Sequence, residues 1–510
     1  MRTGHKHGHE RGIALLAALL VLLLISAIGL GMMFMSNMET TVNANYKDTQ
    51  TAFFSVRAGL EEMRDRMRKN SVSPVTLPVA MPPGANSILY ITNPSGAADV
   101  VDPTTFGNAY FDDELCHENF TPGMLASSYS TRCTTGAPAG SFNYVASFSP
   151  FTNTPSALKY KWARLTLKQN GTVGTVTSQW VDSTQPAGSP VCWDAMNGRE
   201  VAVTSLGYAT CAAAATAGIN VEPAYVITSL AVTPQGSRRV AQYEVAGLDI
   251  SPPPAALALD GPAAVFNPAP SSSQYFANGN DSGTGGYTGP GTCTPSGPSQ
   301  VPAISTGDAA GVASVRSTIP SNRYGNYTGT GGTPSVVNAG AGGTNQLSGT
   351  WSSPAQLNNL VSDLANAADV SYSCGIGAPC GGSGPYGTDA APQITYVNGD
   401  FNFGSNSGAG VLIVTGTLNI TGQSSFNGLI LVIGQGVMTE SGGGSGQFNG
   451  SIFLAKTNSS TSPYSQLGVL GTPVIQWNGG GTNGIQYNSC WANIGNDLHY
   501  LVVASREEMY

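Results

Sequence analysis

Carboxylates that could cleave a polysaccharide are scarce in this chain. Enzymes of that class need clustered acids, or bases together with calcium, around the bond that they break. The C-terminal stretch 393–455 offers only Asp400 and Glu440 as acids. Outside the first nine residues the only histidines are His117 and His499, so the sequence alone assembles no Ser-His-Asp set. We therefore expect that the protein is not an enzyme.

Two other groups of residues have donor atoms for a metal ion. Acidic residues surround Cys116, and they could bind calcium, but we expect a solvated loop: Asp112, Asp113, Glu114 and Glu118. The leader carries three alternating histidines, His5, His7 and His9, but a short unstructured segment fixes no coordination geometry. We expect no metal site at either place.

A glycine-rich stretch, Gly382 to Gly387, matches the dinucleotide pattern G-x-G-x-x-G. That motif holds a phosphate only between a preceding strand and a following helix. Here neither is indicated, and Pro385 interrupts the stretch. We expect no obligate cofactor.

The eight cysteines all follow the apolar N-terminal segment. An even number outside the cytoplasm favours disulfides, although eight cysteines allow about 105 pairings. The local spacings suggest three short pairs and one long closure: Cys116–Cys133, Cys192–Cys211, Cys374–Cys380 and Cys293–Cys490. Zinc is a weaker interpretation, because no Cys-x-x-Cys occurs.

Composition indicates a β-rich protein outside the cytoplasm. Only 10% of the 510 residues are charged, compared with about 25% in an average globular protein. With 65 glycines and many Ser, Thr and Asn, hydroxyls and amides rather than charges solvate the surface. The net charge of −8 and the lack of a basic face after Arg68 argue against nucleic-acid binding. The apolar fraction of 41% is enough for packed cores.

The elements that position these residues begin with an apolar N-terminal segment. Basic residues precede Gly12, and the 23 residues Ile13 to Met35 carry no charge. As a helix this run is about 35 Å long, enough to cross a bilayer, and the basic flank places the leader in the cytoplasm. It is longer than the apolar region of a signal peptide, and no A-x-A cleavage site lies within it.

The helix is expected to continue past the membrane. Apolar residues recur at intervals of three and four along one face: Phe53, Val56, Leu60, Met63 and Met67. Charged residues fill the other faces, and the first proline after Arg11 is Pro74. We predict one helix over 13–69 with an apolar first half and an amphipathic second half.

This segment resembles the N-terminus of PilX-type minor pilins of type IV pili. The resemblance lies in Arg11-Gly12-Ile13-Ala14-Leu15-Leu16, the apolar run, and the stretch from Tyr46 to Glu61. It implies that a prepilin peptidase cuts after Gly12, which makes Ile13 the new amino terminus. It also implies partners: other pilin subunits through the helix, and an assembly platform in the inner membrane.

One position departs from the pilin pattern. Filament-forming pilins usually carry a glutamate five residues after the cleavage glycine, which neutralises the amino terminus of a neighbouring subunit. Here that position is Ala17. An apolar residue there resembles PilX-type and tip subunits, so the resemblance favours a minor or tip position over the filament body.

The C-terminal third contains an internal repeat. Gly410 to Val414 is echoed by Gly428 to Val432 and by Gly450 to Leu454, at offsets of 18 and 22 residues. Short β runs with a period near 20 are typical of a β-solenoid, in which each rung buries its apolar side against the next. A β-sandwich is the structural alternative. The final strand, Tyr500 to Ala504, is expected to cap the solenoid.

We therefore predict a mainly β protein with one long N-terminal α-helix. The expected divisions are a leader over 1–12, a helix over 13–70, a disulfide-tied β-rich domain over 75–250, a Gly/Ser/Pro-rich connecting region with a short helix over 251–390, and a right-handed parallel β-solenoid-like domain over 391–510. Within the β-rich domain, 224–233 and 238–246 are expected to form a hairpin. In the connecting region, Pro354 to Ala368 are expected to form the short helix.

The expected function is structural: a minor or tip subunit of a type IV pilus or related pseudopilus. The chain would cross the inner membrane once, with its C-terminus outside, and reach the cell surface after assembly. A membrane-anchored adhesin that binds glycan or a host surface through the solenoid is the alternative, and a β-helix polysaccharide-active enzyme is a third option.

Overall fold

The computed structural model contains one very long helix and three β-sheets. It describes residues 10–509 apart from a set of short segments: 69–70, 116–133, 154, 156–158, 172–179, 195–196, 218, 220, 249, 251, 269–273, 291–292, 294, 296–297, 341–346, 348–350, 352, 382–383, 385, 442–444, 479–480 and 483. The helices are α1 (Glu10–Met67), α2 (Cys211–Thr216), α3 (Ala309–Thr318), α4 (Pro354–Asn366) and α5 (Ser489–Ala492).

Helix α1 confirms the single long helix that the sequence predicts. Its residues from Leu15 to Lys47 are exposed, whereas Val56, Leu60, Met63 and Met67 of the predicted apolar seam are buried. Phe53, the first residue of that seam, is only half-buried. The second half of the helix packs on β-strands of the chain that follows α1, which we call the head. The apolar face of its amphipathic pattern is therefore covered by the head.

The first sheet receives the second half of α1. Its strands up to residue 247 are β1 (Ile88–Thr92), β2 (Phe142–Ala146), β3 (Tyr160–Leu167), β4 (Val191–Asp194), β5 (Arg199–Ala202), β6 (Val221–Val232) and β7 (Arg238–Gly247). The order is β2-β1-β3-β6, and β6 also pairs with β7 and β4. The predicted hairpin is confirmed as β6 and β7, which pair antiparallel from Ala224–Ala246 to Val232–Arg238.

Of the remaining strands, β26 (Tyr500–Met509) joins the first sheet, and the others form two further sheets. These others are β8 (Leu257–Asp260), β9 (Val265–Asn267), β10 (Phe276–Asn278), β11 (Ile304–Thr306), β12 (Tyr327–Thr328), β13 (Val336–Asn338), β14 (Val370–Ser373), β15 (Cys380–Gly381), β16 (Gln393–Asn398), β17 (Phe401–Asn402), β18 (Ser407–Val414), β19 (Thr417–Thr421), β20 (Ser425–Gly434), β21 (Val437–Ser441), β22 (Gln447–Asn458), β23 (Gln466–Gly471), β24 (Val474–Trp477) and β25 (Gly484–Tyr487).

A 12-stranded sheet runs β12-β10-β25-β22-β20-β18-β16-β14, with β8, β11, β13 and β23 attached. A six-stranded sheet runs β15-β17-β19-β21-β24-β9 and is parallel throughout. One core contains inward side chains from both of these sheets, such as Ile430 from the 12-stranded sheet and Leu418 from the six-stranded sheet. A second core covers the other side of the 12-stranded sheet.

The three copies of the repeat lie side by side in β18, β20 and β22. They pair in parallel and in the same register, so that Gly410, Gly428 and Gly450 are neighbours. All three glycines have positive φ, and a Cβ on Gly428 would lie 1.9 Å from the Gly410 carbonyl oxygen. Only glycine fits such a close approach of backbones. The repeat in the sequence therefore reflects this stacking.

Two parts of the chain lie elsewhere than expected. The segment 251–390, expected as a connecting region, supplies β8 to β15, which join both parallel sheets. The expectation that Tyr500 to Ala504 caps the repeats was wrong. These residues begin β26, which pairs antiparallel with β7 from Tyr500–Gly247 to Met509–Arg239. The chain end thus covers the free edge of β7, whose backbone groups need partners.

The short helix that was predicted in the connecting region is confirmed as α4. Ser353 caps its first turn by accepting a hydrogen bond from the Gln356 amide, and Pro354 occupies the first position. The apolar face of this helix is buried on the 12-stranded sheet: Leu357, Leu360, Val361 and Leu364. This face is therefore part of a core.

Among the described residues, three disulfides tie the head, and their pairings are those that the spacing suggests. Cys192 in β4 joins Cys211 in α2, and Cys374 joins Cys380 across a six-residue separation. Cys293 joins Cys490 over a separation of 197 residues. Cys116 and Cys133 lie outside the described residues.

The stacking of the repeats leads to a stability prediction. Ile430 is 2% exposed between Leu412 and Ile452, so Ile430→Asp buries a charge and is expected to cost several kcal/mol. The parallel sheets should then lose protease resistance, measured by limited proteolysis. Val469→Asp, at a side chain that is 78% exposed, is the matched control. Equal sensitivity of the two variants would contradict the packing.

Candidate functional site

The most prominent surface of the molecule is the exposed half of α1. Its most apolar 18-residue window has a mean hydropathy of 2.7, and none of that window is buried. Leucines such as Leu19 and Leu23 are exposed by 61% and 72%. A helix of this length and composition can cross a membrane, and its apolar surface needs lipid or other helices around it. Gly12 and Ile13, the predicted cleavage residues, lie in the first turns of α1.

The other half of α1 is held by a buried carboxylate. Glu62 is fully buried, although the sequence places it on a charged face. Its Oε2 accepts hydrogen bonds from the Tyr160 hydroxyl at 2.5 Å and the Ser147 hydroxyl at 2.7 Å. Its Oε1 accepts from the Phe148 amide and from Arg66, both at 3.2 Å. Four donors thus satisfy the buried charge, as a buried carboxylate requires.

Arg66 extends this network. Its Nη1 donates to the Ala146 carbonyl and its Nε to the Ser73 carbonyl, each at 2.8 Å. The guanidinium also lies over the Phe148 ring, 5.2 Å from the centroid. Burial, followed by the Glu62 carboxylate, raises the pKa of Tyr160 well above its usual range. The phenol therefore stays protonated and donates to Glu62.

Two further contacts fix how α1 lies on the first sheet. A Cβ on Gly59 would lie 2.3 Å from the Ser229 hydroxyl and 2.8 Å from the Tyr160 ring, so glycine permits the close approach. Nearer the exposed half, the Thr233 hydroxyl donates to Asp48 at 2.9 Å, and Ser237 donates to the same carboxylate. The turn between β6 and β7 therefore contacts the helix where it emerges from the head.

A cleft of about 460 Å³ lies where the C-terminal part of α1, the first sheet and the end of α4 meet. In it His499 Nε2 lies 2.9 and 3.0 Å from the two carboxylate oxygens of Asp369. Burial opposes the charge of Asp369, but hydrogen bonds from His499 and the Ile394 amide, with the charge of Arg68, lower its pKa. The described lining of this cleft includes no Ser, Thr or Cys.

The two acids of the stretch 393–455, Asp400 and Glu440, have different surroundings. Asp400 is buried and accepts hydrogen bonds from the Gly377 amide at 2.6 Å and the Thr417 amide at 2.7 Å, so it caps two loops. Glu440 is fully buried on the inward side of β21, paired in register with Ile420 and Trp477. Neither carboxylate is presented to an open cleft.

The acidic cluster is not the solvated loop that we expected. Asp112 is fully buried, accepting hydrogen bonds from Arg164 at 2.5 Å and the Tyr90 hydroxyl at 2.9 Å. Asp113 is 5% exposed and pairs with Arg238 at 2.7 Å. The sequence separates these cations from the acids by 52 and 125 residues, so local patterning could not reveal the pairs.

No group of three metal-ligating side chains occurs among the described residues. Glu118 and the leader residues His5, His7 and His9 lie outside them. The glycine-rich stretch at 382–387 is only partly described, and its Tyr386 is 1% exposed in the core between the parallel sheets. This packing is structural.

A further buried acid lies at the end of β8. Asp260 is 5% exposed, and its Oδ2 has no hydrogen-bond partner among the described residues. Burial raises its pKa to about 7. Since it stands alone among uncharged strands at 255–267, no pattern marked it in advance.

Comparisons of the chain with models of known protein families, with curated proteins and with solved structures found no match.

The buried carboxylate gives a second prediction. Glu62→Gln keeps the side-chain shape but leaves Arg66 buried without its charged partner, which is expected to cost about 3–5 kcal/mol. The matched control is Glu61→Gln, because Glu61 is 41% exposed where it pairs with Arg64; this change is expected to cost under about 1 kcal/mol. Urea unfolding of the full chain in detergent measures both. Similar midpoints for the two variants would show that the network does not hold the helix.

Asp260 gives a third prediction, on pH. The folded pKa of about 7 lies roughly three units above the unfolded value of about 3.9. The folded state then keeps a proton that the unfolded state releases, so stability falls by roughly 4 kcal/mol as the pH rises from about 4 to about 7. We expect Asp260→Asn to raise the melting temperature at pH 8 but not at pH 4. A variant less stable than the native chain at pH 8 would contradict this.

Proposed function

We propose that this protein is a minor or tip subunit of a type IV pilus or related pseudopilus. The observation that carries the proposal is the division of α1 at about residue 48. Before it the helix is exposed from Leu15 onward and carries the apolar run that ends at Met35. After it the helix is held on a β-sheet by a buried apolar seam and the Glu62 network. A protein that moves from bilayer to filament needs such a half-helix free of its own head.

The proposed location follows from the same helix. The chain crosses the inner membrane once, its leader stays in the cytoplasm, and the head lies outside. The disulfides of the head support an oxidising compartment. Other pilin subunits contact the exposed half of α1, a prepilin peptidase acts at Gly12, and the inner-membrane assembly platform extracts the processed chain to the cell surface.

The head is proposed to end in a right-handed parallel β-solenoid. Support comes from two sheets of parallel strands that alternate along the chain, as β18, β19, β20 and β21 do. A shared core lies between them. Each passage through both sheets forms one rung, and β8 to β15 extend the stack at its two ends.

A second function is supported by the same head. A solenoid carried at a filament tip is well placed to contact glycans or a host surface, so an adhesin role is compatible with a tip pilin. The third option, a β-helix polysaccharide-active enzyme, finds less support because Asp400 caps loops and Glu440 is buried. Asp400→Asn with Glu440→Gln tests it by assay for lost glycan cleavage.

The proposed function predicts processing at one bond. Gly12→Asp should leave an uncleaved, membrane-bound precursor, whereas the native chain should begin at Ile13. N-terminal sequencing of the membrane and sheared-surface fractions measures this. Gly29→Ala is the control, because nothing lies within 4 Å of a Cβ at that position in the exposed helix; it should be processed normally. An intact Met1 in the native chain, or a cut beyond Met35, would overturn the pilin proposal.

A further inference from the structure

The outer face of the six-stranded sheet carries a row of amides and a hydroxyl. Side chains alternate along each strand, and the inward ones, such as Leu418 and Met438, belong to the core. At one outward position, five consecutive strands present Asn402, Asn419, Thr439, Gln476 and Asn267. We call these five residues the amide row. They are exposed or half-buried.

The register makes the amide row continuous. Each member pairs in parallel with the next, from Asn402 in β17 to Asn267 in β9. With about 4.8 Å between neighbouring strands, the row is about 19 Å long. It therefore offers one hydrogen-bonding group per strand at a constant repeat, which suits a ligand that itself repeats along its length.

Hydrogen bonds along the row orient its members. The Asn419 amide donates to Asn402 Oδ1 at 3.0 Å, and the Thr439 hydroxyl donates to Asn419 Oδ1 at 2.5 Å. Among the described residues the Gln476 and Asn267 amides form no side-chain hydrogen bond. The first three members of the row are thus held in place by hydrogen bonds, so they lose little side-chain freedom when a ligand binds. The other two keep unused donors and acceptors.

A row of methyl groups lies beside the amides. Two residues earlier in three of these strands lie half-buried valines that also pair in register: Val437, Val474 and Val265. We call these three residues the valine stripe. The outward side chains of the five strands that carry the amide row include no charged residue. Adjacent stripes of amides and methyls match a sugar ring, which has hydroxyls at its edge and C–H bonds on its face.

The 12-stranded sheet has a similar row, but its groups are used. Asn427 donates to the Asp389 carboxylate at 2.8 Å and accepts from Asn449. Gln486 accepts from Asn278 and donates to the Asn280 carbonyl at 2.6 Å. Loops and a carboxylate satisfy that row, which makes it structural. The amide row on the six-stranded sheet differs because it has no charged partner, and because Gln476 and Asn267 form no side-chain hydrogen bond among the described residues.

We propose that the amide row, with its valine stripe, binds an extended neutral polysaccharide that runs across the strands. The absence of charge on this face gives no attraction for a charged glycan, and the net charge of −8 repels an anionic one. The site lies on the head, so it functions whether or not the N-terminal helix is processed and assembled.

Co-sedimentation of the full chain in detergent with cellulose and chitin particles tests the site. We expect retention on at least one of the two, and at least tenfold weaker retention for Asn419→Lys. Gln476→Ala removes one free amide without adding charge, and is expected to weaken retention severalfold. Val469→Lys, at an exposed side chain in β23, should retain native binding. Circular dichroism and limited proteolysis confirm that each variant is folded.

Three results would overturn the proposal. The first is no retention of the native chain on either polysaccharide. The second is retention that Asn419→Lys and Gln476→Ala leave unchanged while they are folded. The third is retention on alginate, a polyanion, that exceeds retention on cellulose and chitin. Failure of cleavage at Gly12 has no bearing on these outcomes, so the two proposals fail separately.

Discussion

The burial of Glu62 constrains how the N-terminal helix lies on the head. A carboxylate removed from water must have its donors in place, and here they come from α1 itself, from β3 and from the loop after β2. Sliding the helix by one turn would keep apolar residues on the sheet but would leave the Glu62 carboxylate buried without its hydrogen-bond donors. Apolar packing alone tolerates such slips, whereas this network does not. Gly59 adds a steric limit at the same interface.

The parallel sheets depend on a different constraint, the approach of backbones at stacked glycines. Gly410, Gly428 and Gly450 hold the same register, so each strand bends where its neighbours bend. This places Phe426 and Phe448 in the shared core before the bend. A side chain at one of these positions would displace a neighbouring carbonyl, and the shift would propagate along the stack. Register in the sheets is therefore set by the backbone as much as by apolar side chains.

The sequence predicted those features whose signal is local. The long helix, the β6–β7 hairpin, α4 and the three repeats each carry a period or turn within one segment. Strands such as β12 and β15 have two residues, too few to show alternation in a glycine-rich segment. The Asp112–Arg164 pair, the burial of Glu62 and the partner of β26 arise between distant segments, and only folding brings them together. The amide row is intermediate: its Asn residues are visible, but their alignment requires the register.

On the proposed function, charge bears on where the subunit lies in a filament. In a filament body every helix has neighbours on both sides, and each new amino terminus is buried among them. Without a carboxylate at Ala17, that positive charge would lack a partner in an apolar core, at a cost of several kcal/mol. A subunit at the end of the filament has neighbours on one side only and avoids much of this cost. On the proposed function, the apolar residue at 17 and the large head, which needs room, both favour the tip, where the amide row would face outward.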